Sequence, residues 1–283
     1  MRTIDAVARG RENNFDFIRF VAAASVILSH SHPLAGASSP FFILPNYYLG
    51  DAAVTVFFGI SGLLITKSYI QTRSVLDFVM ARFMRVVPGL FVVLVLTAFV
   101  LGPFVSSVPV ADYFTQKTPF KYVLRNVSLW SMQYDLPGVF EDNPFRGVNG
   151  SLWTLPFEIR CYAAVVALGV CGCLRSWRAA MFLAGYAVAY IALRGDWYGA
   201  PMPWAQLSLP FVVGGVFYLY RGTIPLTVPV LCVAIFVTWL GWGTPVAREM
   251  FVATLVYGAF LIAAAPVQAL HRFGRYGDFS YGV

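Results

Sequence analysis

Eight long apolar runs divide the sequence, and most charged residues lie between them. A helix rises about 1.5 Å per residue, so it needs about 20 apolar residues to cross the ~30 Å hydrocarbon core of a bilayer. Each run is close to that length. The pattern therefore predicts an all-α fold, a polytopic transmembrane helical bundle. The predicted spans cover residues 15–33, 49–70, 86–106, 151–172, 178–194, 203–220, 226–242 and 250–267.

The composition favours a bilayer over water as the solvent of this chain. Hydrophobic residues make up 59% and charged residues only 12% of the sequence, against about 25% charged in soluble domains. The net charge of +7 could indicate nucleic acid, but Lys and Arg alternate with apolar runs and form no continuous stripe. We expect a multi-pass integral membrane protein of the cytoplasmic (inner) membrane, with the lipid bilayer and not nucleic acid as its partner.

The distribution of Lys and Arg predicts the orientation in the membrane. With the N-terminus inside, most of the cations between spans face the cytoplasm, as the positive-inside rule requires. The longest connection, 107–150, then becomes a non-cytoplasmic loop. A cleavable signal peptide is the alternative for the first run, but Asp16 and Arg19 interrupt its apolar region.

The chain is predicted to form one integral-membrane domain over residues 1–283. The longest polar connection is rich in aromatics and prolines, which argues against a separate soluble domain. Residues 277–283 look like the entrance to a further helix, so we expect the last transmembrane helix to be missing. The four cysteines lack the paired spacing of zinc ligands, and no metal site is expected.

Two ionisable residues inside the first span are candidates for function, because such groups cost about 2.5–3.5 kcal/mol each on insertion scales. Arg19 and His30 are eleven residues apart, which puts them within about 20° of one helix face and ~16 Å apart along the axis. The same stripe begins at Asp16 and contains Ala23 and Val26 between Arg19 and His30. In the alternative interpretation, Arg19 snorkels to the interface and His30 caps the outer end.

Paired arginines precede the third predicted span. Arg82 and Arg85 lie three residues apart on one helical face, and two guanidiniums this close repel each other unless an anion lies between them. Phosphate suits their forked geometry best. The positive-inside rule alone would also account for both residues.

A carboxylate enters the fourth predicted span. The polar segment from Asn149 to Glu158 places Glu158 about two turns inside the helix, with Tyr162 four residues further on the same face. Glu158 could equally pair with an arginine of another helix.

Taken together, these segments resemble the acyltransferase 3 family of polytopic membrane O-acyltransferases. One departure from the family pattern is Thr55, where many members carry an aspartate, so a charge role there is absent or moved to Asp51. The matching segments are 14–19 with His30 after a ten-residue spacer, 56–65, Arg82 to Arg85 with Pro88, 149–158 and 277–282.

The resemblance implies transfer of an acyl group, commonly acetyl, from cytoplasmic acyl-CoA to a hydroxyl of a cell-surface or exported carbohydrate. Acyl-CoA, with acetyl-CoA as the expected form, would be the donor substrate, and no metal is implied. Arg19, Arg82 and Arg85 would hold the phosphates of CoA.

His30 is the candidate general base, because a sugar hydroxyl needs a base of pKa about 7 to take its proton. His32 directly precedes Pro33, and His271 lies in a cytoplasmic basic segment. Whether His30 acts as the base or carries the acyl group transiently stays open. Glu158 would orient His30 or the acceptor. The supporting residues are Asp16, Ser61, Trp153 and Tyr162, of which Ser61 and Tyr162 could donate to the developing oxyanion.

A secondary transporter or flippase is the alternative from another class of protein. Arg19, His30 and Glu158 would then form a proton relay, and no covalent chemistry would occur. Inverted repeats or paired broken helices would favour that function, and the sequence shows neither.

Overall fold

The computed structural model describes residues 3–9, 13–38, 40–44, 47–174, 177–193 and 203–265. The expected entrance to a further helix at 277–282 lies outside these residues, as does His271.

Helices occupy the positions of all eight predicted spans, and short helices fill parts of the connections. A π-helical segment covers Thr97–Leu101, and a 3₁₀ segment covers Gly150–Thr154. Strands β1 (Phe42–Leu44) and β2 (Tyr47–Tyr48) pair antiparallel. The helices are α1 (Ile4–Arg9), α2 (Phe15–Leu34), α3 (Leu49–Gln71), α4 (Val75–Leu96), α5 (Gly102–Val105), α6 (Val110–Thr115), α7 (Thr118–Ser128), α8 (Leu155–Val170), α9 (Trp177–Leu193), α10 (Pro203–Leu219), α11 (Val228–Leu240) and α12 (Ala247–Ala263).

Three helical stretches of the described chain are long and apolar enough to cross a membrane. They are Leu49–Gln71, Val75–Val105 and Gly150–Val170. The helical fold is thus confirmed and a membrane protein is supported. That all eight helices span the bilayer stays a prediction.

The third long helix begins earlier than the apolar pattern predicts. The predicted span starts at 86, whereas α4 starts at Val75, because the Ser74 hydroxyl caps it by accepting from the Asp77 backbone N–H at 3.1 Å. Arg82 and Arg85 therefore lie about two to three turns inside the helix instead of at its entrance.

The connection 107–150 is more ordered than a loop. It contains α6 and α7, and it has a core in which Tyr113, Tyr122 and Leu136 pack against Leu94 of α4. This packing buries Tyr113, Tyr122 and Leu136, whereas the sequence predicted a plain loop.

Helix α3 lies at the centre of the bundle and packs closely against α10 through glycines. A Cβ at Gly62 would lie 1.9 Å from the carbonyl oxygen of Phe211, and one at Gly214 would lie 1.9 Å from that of Gly59. Such contacts need residues without side chains, as in close helix pairs of membranes. The glycines of the segment 56–65 thus serve helix packing.

The N-terminal residues close the bundle at one end. The side-chain amide of Asn14 donates to the carbonyl oxygens of Ile262 and Ala265, both at 3.1 Å, and so caps the end of α12. Asp5 pairs with Arg221 at 3.0 Å in the connection between α10 and α11. Helix α1 and this connection therefore lie at the same end of the bundle.

Candidate active site

A cavity of about 220 Å³ lies between α2, α3, α4 and the segment 149–158. It collects residues from three of the matching segments, namely 14–19 with His30, 56–65 and 149–158, and it includes Val86 next to Arg85. Asp16, Arg82, Arg85 and Tyr162 do not line it. The predicted site residues that do line it are Arg19, His30, Ser61, Trp153 and Glu158.

One stripe of α2 forms the first wall. Arg19, Ala23, Val26 and His30 all face the cavity, as the helical spacing predicts. Arg19 is only 6% exposed, so it does not snorkel to the surface. Asp16 is half-buried outside the cavity.

A backbone carbonyl orients the imidazole of His30. Its Nδ1 lies 2.9 Å from the carbonyl oxygen of Val26. Because that oxygen can only accept, we assign the proton to Nδ1, which leaves a lone pair on Nε2 in the neutral ring. His32, in contrast, lies against Phe41 with its ring centroid 5.3 Å away and does not line the cavity. Of these two histidines, only His30 can act in the cavity.

The carboxylate of Glu158 accepts two hydroxyl donors through Oε1. Ser61, which is buried on α3, donates at 3.3 Å, and Tyr162 donates from one turn further along α8. Both hydroxyls thus hold the carboxylate in place. The predicted oxyanion role of Ser61 and Tyr162 would require them to release Glu158.

Helix geometry separates the two polar ends of the cavity. A Cβ at Gly50 would lie 3.5 Å from Cε1 of His30, so these two residues lie at one level of α3 and α2. Arg19 is eleven residues from His30, and Ser61 is eleven residues from Gly50, which is about 16 Å along each helix. Arg19 therefore lies level with Ser61 and its partner Glu158. The carboxylate belongs to the Arg19 end of the cavity, away from His30.

The paired arginines lie beside the same end. Arg82 and Arg85 are half-buried, and the guanidinium of Arg82 lies over the Phe78 ring, 5.8 Å from its centroid. Arg85 is ten residues from the start of α4, and Ser61 is ten residues from the end of α3, which adjoins α4 through residues 72–74. Arg85 is therefore near the level of Ser61. Its neighbour Val86 lines the cavity, as does Arg19.

The segment before α8 forms another wall and is anchored by Asn149. The side-chain amide of Asn149 donates to the hydroxyls of Thr97 at 2.9 Å and Tyr122 at 3.1 Å. Burial raises the pKa of Tyr122 to about 12, so that hydroxyl stays protonated at neutral pH. Sequence reasoning quoted Asn149 within a motif but gave it no role. Its backbone is left-handed, with φ of 54°. Asn is one of the residues that adopt this conformation most readily, so the Asn-Gly pair in the sequence was the signal for it.

Trp153 lines the same wall, and its ring packs edge-on to Phe157 with centroids 5.9 Å apart. This contact fixes an aromatic surface between the two polar ends of the cavity.

Asp51 has a structural position outside the cavity. Its carboxylate accepts from the Gln206 side chain at 2.9 Å and from the Tyr48 backbone N–H at 2.8 Å, so it caps α3 and joins it to α10. The hydroxyl of Thr55 lies 2.5 Å from that of Tyr47. Neither residue brings a charge to the cavity.

The sequence matches the model of the acyltransferase 3 family, described as an acyltransferase domain, over residues 12–283. The chain belongs to this family. Two curated relatives agree with the assignment. An O-acetyl transferase of Shigella phage Sf6 is 36% identical over 152 residues, which is 54% of this chain and 44% of the relative. Nodulation protein 10 of Rhizobium leguminosarum bv. viciae is 31% identical over 201 residues, 66% of this chain and 51% of the relative.

This chain spans about half the length of the curated relatives it matches. No solved structure matches it. The likeness in sequence covers the whole cavity, since all its lining residues lie within the family match.

Proposed function

We propose that this protein is a membrane O-acyltransferase, which moves an acyl group, acetyl in the first instance, from cytoplasmic acyl-CoA to a hydroxyl of a cell-surface or exported carbohydrate. One observation carries the proposal: a single cavity holds His30, with its Nδ1 bonded to Val26, at one end and Arg19 level with Glu158 at the other. Membership of the acyltransferase 3 family and the O-acetyl transferase relative support it.

The arginine end is where the donor binds. CoA carries phosphates, and charge-assisted bonds from guanidinium groups are the strongest contacts that protein side chains offer to them. Arg19 lines this end of the cavity, and Arg85 directly precedes the lining residue Val86, with Arg82 one helical turn away. The cavity volume of about 220 Å³ is below the 300–1,000 Å³ of a site for a drug-sized ligand, so it suits the acyl thioester arm, with the phosphates at the arginine end and the adenosine outside.

The histidine end is where the acceptor reacts. The acceptor hydroxyl attacks the thioester carbonyl carbon, and Nε2 of His30 takes its proton. A carbon–oxygen bond forms, the carbon–sulfur bond breaks, and CoA leaves as the thiolate, which takes the proton back from the imidazolium. If His30 instead carries the acyl group, Nε2 attacks first and the hydroxyl attacks the acyl-imidazole afterwards. A burst of CoA release without acceptor distinguishes the second route.

The orientation follows from the donor's location. The N-terminus and Arg73 face the cytoplasm, and residues 107–150 face the other side of the inner membrane. Labelling tests this orientation with a membrane-impermeant maleimide on a variant whose native cysteines are replaced. A cysteine at Asp112 should react in intact cells, and one at Arg73 only after the inner face is opened. The reverse pattern would refute both the orientation and the donor site.

Mass spectrometry of surface glycans from cells with and without the protein tests reaction and acceptor together. The expected result is an ester-linked acyl group that depends on the protein. The purified protein in lipid nanodiscs should then release CoA from acetyl-CoA when the acylated glycan's unmodified form is added. Proton movement without any ester would favour the transporter hypothesis and refute the transferase.

A further inference from the structure

Helix α7 (Thr118–Ser128) exposes an arc that changes from apolar to basic around the helix. Its buried side consists of Pro119, Tyr122, Val123 and Asn126. On the exposed side, Phe120 and Leu124 lie at about 0° and 40° of a helical projection, and Lys121 and Arg125 follow at about 100° and 140°. An apolar edge therefore adjoins a basic edge along the same helix.

The side chains of the apolar edge are strongly exposed for a surface that faces water. Leu124 is 72% exposed and Phe120 is 50% exposed. Trp130, just beyond the end of α7, is 80% exposed. Aromatic and aliphatic side chains exposed together in this way mark a surface that another apolar phase covers.

Helix geometry places α7 at the outer boundary of the apolar bundle. Thr97 is 22 residues from the start of α4 at Val75, and Leu49 is 22 residues from the end of α3 at Gln71. The two helices are joined by residues 72–74, so Thr97 lies level with the Leu49 end of α3, which is the outer end in the proposed orientation. Tyr122 of α7 is tied to this level, since Asn149 donates to both Tyr122 and Thr97.

The apolar edge continues onto the outer surface of the helix that α7 packs against. Val100, Leu101 and Phe104 are exposed in the stretch from Val75 to Val105, which is apolar enough to cross a membrane. Phe104 is 86% exposed, about 10 Å beyond Thr97 along the helix. Phe120 packs against Phe99 of the same stretch, with ring centroids 5.2 Å apart, and this contact joins the two exposed surfaces.

We propose that α7 is an interfacial helix that docks on the outer leaflet of the bilayer, with anionic phospholipid headgroups as its partner. Phe120 and Leu124 enter the boundary of the acyl chains, and Lys121 and Arg125 bind the lipid phosphates. An amphipathic helix with apolar residues beside Lys and Arg binds membranes by this combination. Because Tyr122 bonds to Asn149, the docked helix holds the wall of the cavity.

Spin labelling of the full chain in nanodiscs tests the docking. The native cysteines are replaced, and a nitroxide is placed at Leu124 or, as control, at exposed Asp112 of α6. Collision rates with oxygen and with a water-soluble nickel complex report immersion in lipid. The ratio of oxygen to nickel collisions should be several-fold higher at 124 than at 112. Equal ratios at both positions would refute the docking.

The charge on the lipid is tested with nanodiscs of phosphatidylcholine alone or mixed equally with phosphatidylglycerol. The double variant K121E/R125E should reduce immersion at 124 in the mixed nanodiscs and leave it little changed in phosphatidylcholine alone. The matched control R73E/R178E makes the same charge change away from α7 and should have no effect at 124. If K121E/R125E lowers thermal stability, K121Q/R125Q replaces it. If K121E/R125E leaves immersion at 124 unchanged in the mixed nanodiscs, the proposed lipid partner is wrong.

Discussion

Asn149 donates from its side-chain amide to the hydroxyl of Thr97 over 2.9 Å. Thr97 is the residue at which α4 gives way to a π-helical segment, a local irregularity that is frequent at functional sites. The bond therefore joins the wall of the cavity to the one break in the α-helical pattern of that long helix.

Replacing Asn149 should loosen this wall. The variant Asn149→Gly loses both side-chain bonds, each worth about 1 kcal/mol, but keeps the left-handed backbone. The variant Asn149→Ala loses the bonds and strains the backbone by a further ~1–2 kcal/mol. We expect thermal stability in detergent to fall in the order parent, Gly variant, Ala variant.

Asn143→Ala is the control, because Asn143 is exposed in the same connection. It should melt like the parent. A Gly variant at 149 as stable as the parent would show that the two bonds contribute nothing.

Arg82→Ala and Arg85→Ala should each weaken use of the donor. Charge-assisted contacts are worth roughly 1.5–3 kcal/mol, so KM for acetyl-CoA should rise about ten- to a hundredfold. Turnover at saturating donor should change less. Arg178→Ala is the control, since Arg178 is exposed on α9, away from the cavity. Equal effects at all three positions, with matched expression, would indicate a bulk charge effect.

His30→Gln should abolish acyl transfer while acetyl-CoA still binds. Loss of a general base lowers the rate by about 10²-fold or more. Equilibrium binding of acetyl-CoA and transfer to the acceptor are measured on the same preparation. His32→Gln is the matched control, because His32 follows two residues later and packs on Phe41 outside the cavity. Transfer by the His30 variant at near the parent rate would exclude the mechanism.

Gly62→Ala should separate α3 from α10. The new Cβ would lie 1.9 Å from the Phe211 carbonyl oxygen, and overpacking of this kind costs about 1–3 kcal/mol. Gly89→Ala is the control, because a Cβ there has no heavy atom within 4 Å in the described chain. Only Gly62→Ala should lower the melting temperature in detergent. A normal melting temperature for Gly62→Ala would mean that the helices are less tightly fixed.

Features with a local period were predictable from sequence. The stripe from Arg19 to His30 lines the cavity because eleven residues make almost three helical turns. The apolar runs predicted where the long helices lie, since burial in lipid or protein imposes the same composition. The start of α4 was missed because Ser74 and Asp77, which cap it, are polar.

Features that depend on distant partners were not predictable. Asn149 and Thr97 are 52 residues apart, and no local sequence pattern predicts the hydrogen bond between them. The same holds for the position of Glu158, whose distance from Ser61 follows from how α8 packs on α3. The order within 107–150 was missed because α6 and α7 are short and carry charges that resemble those of a loop.

The cap that Asn14 provides for α12 has a consequence for biosynthesis. The two partners of this contact are 248 residues apart, so Asn14 leaves the ribosome long before Ile262 is synthesised. Helix α2, which carries Arg19 and His30, can enter the membrane early but can be fixed at this end only after α12 has been made. A nascent chain that stops before α12 should therefore insert its first helices while the α2 wall of the cavity is not yet fixed in position.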